Sequence, residues 1–268
     1  MTFISLSVTD VALSATLLAV NASLSIVMRL GLARQMGIAA ARMVVQLVLM
    51  GLVLKVLFER ASPLFTSLTA LLMILFAGRE VMARQKRRLV GWWSYGLGTT
   101  SMLFAGTAVT VFALTTQIRP QPWYDARLAL PLLGMILGNT MTGVALGVDR
   151  LLTGAVDSRV SIEARLALGH DRRDAMGGVV REALRTGLLP TINSMSAIGL
   201  VFIPGMMTGQ ILAGVAPMDA VKYQLLVMFL IAGGTALGVV GAVLAGSYRL
   251  SDARHRLRLD RLSGPAVR

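Results

Sequence analysis

The sequence predicts an all-α polytopic membrane protein of about seven transmembrane helices, with its N-terminus outside and its C-terminus in the cytoplasm. Composition, charge-free windows and the distribution of Lys and Arg carry that expectation. Of 268 residues 55% are hydrophobic and 15% charged, and mean hydropathy is +0.71. A soluble domain carries about 25% charged residues. The net charge of +13 does not point to nucleic acid, because the basic residues flank apolar stretches without interleaved aromatics. With no cysteine in the chain, disulfides, thiolate metal sites and redox thiols are excluded. The first apolar stretch is long enough to stay as a span, and no cleavable signal peptide is expected.

Windows nearly free of charge locate the spans at 11–28, 43–58, 61–78, 93–118, 128–148, 188–204 and 223–246. About twenty apolar residues cross a bilayer. Lys55 lies near one end of its window, within snorkelling reach of the interface. The uncharged window 186–218 is too long for one crossing and holds Pro190, Pro204 and Pro217 with Gly199, Gly205, Gly209 and Gly214. We read it as a span followed by a Gly-rich segment, Gly205 to Gln210, that re-enters the membrane or lies at its outer surface. Non-helical backbone at that depth is tolerated only against protein or a watery cavity. On that reading Gly209→Leu would obstruct the space the backbone needs.

Orientation follows from the basic residues. With the N-terminus outside, 21 of the 26 Lys and Arg fall on inner segments, namely the stretches around 29–42, 79–88 and 150–185 and the basic tail 249–268. The opposite orientation inverts the positive-inside rule. Trp92, Trp93, Trp123 and Tyr124 stand at predicted span ends, where aromatic belts form. The pairs Gly134/Gly138, Gly143/Gly147 and Gly234/Gly238 let helix backbones approach closely. One transmembrane domain is drawn over 1–248, with the tail after it.

The single long inner loop, 149–187, is too short for a soluble catalytic domain. Ser161 suits a helix cap and Gly169 a helix end. A second helix starts near Asp171, with Met176, Val180 and Leu184 on one face. The run from Glu163 through Ala164 and Arg165 to Gly169 resembles the E-A-A-x-x-x-G coupling loop of ABC-transporter permeases, with Arg165 in place of the second alanine. A wider resemblance covers nearly the whole chain. Leu189 to Met195, Gly199 to Val201, Pro204 to Leu212, Gly138 to Thr140 and Tyr223-Gln224 look like the FetB-type permeases, a family of bacterial iron-export permeases with plant aluminium-tolerance relatives. The resemblance implies a multi-pass subunit of the bacterial inner membrane that forms a homodimer and exports iron or another metal cation. A cytoplasmic ATPase would supply the energy, with Glu163, Ala164 and Gly169 in the ATPase-coupling role.

The residues agree with a need for that partner. No glycine is followed by lysine, so the chain has no phosphate-binding loop of the Gly-Lys-Ser/Thr type. It is not expected to be an enzyme, to hold a cofactor or to contain catalytic residues. Intramembrane polar residues are costly and often functional. Asn139, Asn193, Ser194, Met206, Met207 and Gln210 are therefore candidates for the translocation path. No carboxylate or histidine falls near a bilayer centre. That pattern argues against a tight site for a hard metal ion and against an ion-coupled carrier, although a secondary carrier or channel without an ATPase remains the alternative. Reporter fusions after Arg88 and Arg185 should read cytoplasmic and one near Asp125 external; an external signal after Arg185 would overturn the seven-span topology.

Overall fold

A computed structural model describes residues 7–60, 62–252 and 254–263. It forms two compact units, 1–61 and 62–268. The start of the expected span 61–78 and the last five residues of the tail, 264–268, lie outside the described residues. Among the described residues the architecture is all-α, with one two-residue antiparallel strand pair.

The first unit is a helical hairpin. α1 (Val8–Val27) opens on a capping box in which the Ser7 hydroxyl accepts from Asp10 N–H and the Asp10 carboxylate accepts from Ser7 N–H. α2 (Ala33–Arg60) begins ten residues before the expected span at 43, so Arg34 and Arg42 are helical. Between them, the buried Ser25 closes the turn: its hydroxyl accepts from Leu32 N–H at 3.0 Å and its carbonyl from Leu30 N–H at 2.9 Å. Both helices turn nearly all their apolar side chains outward, as lipid-facing helices do.

The second unit is built around α5. α3 (Pro63–Ala83) starts with proline at its first position, where the missing N–H costs nothing. β1 (Arg88–Leu89) follows, then α4 (Trp92–Phe112), which ends in a π-helical turn over Ala113–Ile118. α5 (Ala126–Asp157) packs against α3, α4, α7 and α9. α6 (Arg159–Ala167) and α7 (Arg172–Ala197) come next, then α8 (Gly205–Leu212) and α9 (Pro217–Arg249). The tail ends in β2 (Leu262–Ser263), paired with β1.

Among the described residues six helices, α1 to α5 and α9, are long and apolar enough to cross a membrane, α4 together with its π-helical turn. α7 is the seventh long helix, and its boundaries differ from the expected span at 188–204. It starts sixteen residues earlier and stops at Ala197. It runs through Pro190, which has no N–H to give the Thr186 carbonyl. Contacts one turn earlier hold the helix together. A Cβ on Gly187 would lie 2.8 Å from the Gly143 carbonyl oxygen of α5 and 2.7 Å from Val239 Cγ1 of α9. The backbones of α5 and α7 thus meet beneath a side chain of α9, with no room for another.

The expected inner loop is also shorter than drawn. α5 continues to Asp157 and α7 begins at Arg172, which leaves α6 and its two short joints. Ser161 does not cap α6; it sits inside the helix, and Ser158 occupies the cap position. Asp171 does cap α7, accepting from Arg173 and Asp174 N–H. Met176, Val180 and Leu184 join one core cluster with Ile162, Leu151 and Val243.

We expect Gly187→Val to cost about 1–3 kcal/mol through overpacking, lowering the melting temperature in detergent by several degrees. Gly233→Val is the control, because a Cβ there meets nothing within 4 Å. Equal melting of the two variants would count against the three-helix contact as the centre of the unit.

Candidate translocation path and coupling surface

α6 is a nine-residue helix whose end is dictated by Gly169. The residue adopts φ +90°, a left-handed conformation that costs an L side chain about 1–2 kcal/mol. Gly169 N–H then donates to the Leu166 carbonyl and His170 N–H to the Arg165 carbonyl, both at 3.1 Å. These two bonds form a Schellman stop. Nothing lies within 4 Å of a Cβ at Gly169, so its requirement for glycine is conformational within one chain. Glu163 and Ala164 are exposed. Arg159 Nε donates to the Glu163 carboxylate at 2.9 Å, one turn apart. α6 is anchored by Ile162, which is 2% exposed.

α5 and α7 form a matched pair. Arg150 of α5 lies 3.7 Å from Glu182 of α7, with both side chains half-exposed. Asn139 stands eleven residues before Arg150, and Asn193 eleven residues after Glu182. Eleven residues make about three turns and a rise of about 16 Å. The two asparagines therefore share one level and one face of the antiparallel pair. Both are exposed, and Asn139 Nδ2 donates to the Met135 carbonyl at 2.9 Å. Thr186, whose carbonyl lost its helical donor to Pro190, lies on α7 between Glu182 and Asn193. Ser194 is only partly exposed, one helical step round from Asn193.

The remaining candidates sit elsewhere. Met206, Met207 and Gln210 are on α8, which packs chiefly on α9. The expectation of non-helical backbone at Gly205 to Gln210 is corrected here: the segment is helical, and the irregular stretch is 198–204 just before it. Pro204 stands at the N-cap, where proline ends one chain direction and starts a helix without forfeiting a bond. A Cβ on Gly209 meets nothing within 4 Å, so no tight backbone packing requires that glycine within one chain. Met206 packs against the cluster of Val227, Leu230 and Ile136. The Gln210 side-chain oxygen is buried and has no donor.

Sequence reasoning missed two parts of this region. The Arg150–Glu182 pair was hidden in a loop assigned too generously, although its eleven-residue spacing to the asparagines was readable. The tail was read as a basic extension, yet its described part is folded. β2 pairs with β1 in the register Arg88 to Ser263 and Leu89 to Leu262. Arg261 Nη1 donates to the Arg249 carbonyl at 2.8 Å, satisfying an end of α9. His255 Nδ1 accepts from Arg172 N–H at 3.1 Å, and Leu257 and Leu259 pack with the core cluster that holds α6.

Charges order this end of the molecule. Hydrogen bonds from the Arg258 guanidinium hold the Asp260 carboxyl down at about 2. The Arg256 N–H and guanidinium lower Asp252, and the Asp174 and Arg173 N–H groups lower Asp171. Folded-state values below the ordinary carboxylate range mean that these anchors act above that range and are lost as pH falls toward the folded values. Three of the segments read from charge as cytoplasmic, 79–88, 150–185 and the described tail, thus meet at one end of the second unit. Lys86 N–H donates to Asp149 at 2.7 Å, and Arg84 Nη1 to the Thr142 hydroxyl at 3.4 Å.

Residues 8–250 match the family described as uncharacterised protein family UPF0014. The chain belongs to UPF0014. It is 36% identical over 232 residues to a UPF0014 membrane protein of Synechocystis, covering 85% of this chain and 86% of the relative. Against the probable iron export permease protein FetB of Escherichia coli, identity is 29% over 253 residues, covering 94% and 95% of the two chains. Against the UPF0014 membrane protein STAR2 of rice, it is 34% over 242 residues, covering 88% and 83%. No solved structure matches the chain. Family and helices together make it a multi-pass protein of the bacterial inner membrane, as the sequence resemblance had implied.

The stop at Gly169 gives a direct check. Gly169→Val should accelerate hydrogen exchange of the Gly169 and His170 amides, while Gly169→Asn, which tolerates the left-handed region, should leave them protected. Equal exchange in the two variants would show that the conformation is not what selects glycine.

Proposed function

We propose that this UPF0014 chain is the membrane-spanning permease subunit of an ABC transporter, acting as a homodimer and exporting a metal cation, with iron the first candidate. ATP hydrolysis occurs on a separate cytoplasmic chain. One observation supports this reading above the others. α6 is a short exposed helix, held at one face by Ile162 and stopped by Gly169, and it links the two helices that carry Asn139 and Asn193. A partner that grips Glu163 and Ala164 would move α5 and α7 together, because their backbones touch at Gly143 and Gly187. The two functions assigned from the sequence, docking and passage, are thereby joined by a single α5–α6–α7 unit.

The path is neutral at the level of the asparagines. Asn139, Asn193 and the Thr186 carbonyl offer oxygen atoms without formal charge. Such donors replace part of a hydration shell and release the ion again, as a transporter must, whereas a carboxylate cage would retain a hard cation. Met206, Met207 and Gln210 on α8 form a second group toward the opposite end, where the cation would leave. The chain's similarity to the probable iron export permease of Escherichia coli favours iron as cargo.

In proteoliposomes containing the permease and its ATPase, Ala164→Trp should abolish transport-coupled hydrolysis while the chain inserts and melts normally. Asn139→Leu and Asn193→Leu should each slow export about tenfold, the effect of losing a polar contact of about 1–2 kcal/mol, with ATPase binding intact. Unchanged coupling in the Ala164→Trp protein would overturn the docking role of α6.

A further inference from the structure

Beside the coupling helix lies a cavity of about 260 Å³, walled by the end of α5, by α6 and by the first turns of α7. Its polar lining consists of Arg150, Ser158, Ser161, Arg165 and Glu182. Two guanidinium groups face one carboxylate, so the lining carries an excess positive charge. The pairing inside it is incomplete. Arg150 and Glu182 stand 3.7 Å apart, beyond a direct hydrogen bond. Among the described residues no carboxylate lies within ion-pair distance of Arg165.

The hydroxyls are also uncommitted. Ser158 occupies the N-cap position of α6, yet its side chain makes no capping bond. That leaves its O–H available at the junction of α5 and α6. Gly178 forms part of the floor with open space where a side chain would stand. Arg165 is also the residue that replaces the second alanine of the E-A-A pattern. There it brings a second fork of donors to this cavity.

We propose that the cavity is a binding site for a phosphate-type oxyanion, with Arg150 and Arg165 as the charge partners and Ser158 and Ser161 as hydroxyl donors. Arginine forks match tetrahedral oxyanions in geometry and charge. A volume of about 260 Å³ accommodates one such group with water. The group is either free phosphate or the phosphodiester of an anionic lipid, since the cavity opens on the same α5–α7 face as the asparagines, about three turns toward the cytoplasmic end. A bound oxyanion would tie α5, α6 and α7 together at the point where the docking helix joins the helices of the path.

The test uses the intact chain purified in neutral detergent. In one arm sodium phosphate is titrated against sodium chloride at matched ionic strength and the melting temperature is followed. In the other, native mass spectrometry counts phosphatidylglycerol retained by protein prepared with that lipid or with phosphatidylcholine. Arg165→Gln should weaken the response at least tenfold in whichever arm the parent shows one. Arg185→Gln, which removes an equal charge outside the cavity lining, should behave as the parent. A phosphate response lost in Arg165→Gln identifies a free oxyanion; a phosphatidylglycerol adduct lost in the same variant identifies a lipid headgroup. Should Arg165→Gln fail to fold, the double variant Ser158→Ala/Ser161→Ala, which keeps every charge, should still weaken binding severalfold. The site is refuted if the parent responds in neither arm, or if the folded variants respond as the parent does. Neither arm involves an ATPase, so failure of the coupling reading would leave this result standing.

Discussion

At Gly143 and Gly187 the backbones of α5 and α7 come so close that an added Cβ on either would fall within 2.8 Å of the other's carbonyl oxygen, and Val239 and Thr235 of α9 close the same point from the third side. Lipid tails are as apolar as leucine, so burying hydrophobic surface gives little drive for helices to associate within a membrane. Close van der Waals contact supplies it instead. Much of the second unit depends on this contact. It holds α7 straight enough to run through Pro190, sets the antiparallel register that pairs Arg150 with Glu182, and thereby brings Asn139 and Asn193 to one level.

That register links the short helix α6 to the exposed asparagines of the two helices it joins, as the proposed coupling requires. α6 has too few residues to carry a fold of its own. It is held by Ile162 and by the tail leucines, and it ends at a glycine whose conformation closes two backbone bonds. The half-exposed Arg150–Glu182 pair adds little to stability, since such pairs are worth at most about 1 kcal/mol. It matters as a marker of alignment and as one wall of the basic cavity. The tail completes this end of the molecule through a strand pair and through Arg261, which takes up carbonyls left over at the end of α9.

The buried hydroxyls of Thr110, Thr140 and Thr235 have no hydrogen-bond partner among the described residues. Thr140 and Thr235 flank the close approach of α5 and α9, next to Gly234, Gly238 and Gly143. Small polar residues at such points allow backbones to meet, and in a membrane the unmade hydrogen bond is the cost of that proximity. Asn139 and Asn193 differ from these threonines. Their side chains lie on the open face of the pair, and Asn139 keeps only a local bond to its own helix.

Membrane class, the long helices and the helix stop at Gly169 were legible in the sequence, because each depends on local physics. Charge-free length sets a span, and a glycine after a helical run supplies the left-handed residue. Asp171 as a cap and Met176, Val180 and Leu184 as a buried stripe were readable for the same reason. The extent of α7, the helical state of Gly205 to Gln210 and the folded tail were not. Pro190 and the closely spaced glycines read as breaks when only the chain itself is considered. A neighbouring helix decides whether the lost bond is tolerated, and nothing local to residues 186–218 encodes that neighbour. The tail's strand lies over 170 residues from its partner β1, and the basic cavity gathers side chains from three helices. Sequence by itself determined which segments are apolar enough to enter a membrane, since that is a transfer energy of single segments. Only the tertiary structure decided which polar groups face one another, because that depends on the register at which two backbones touch.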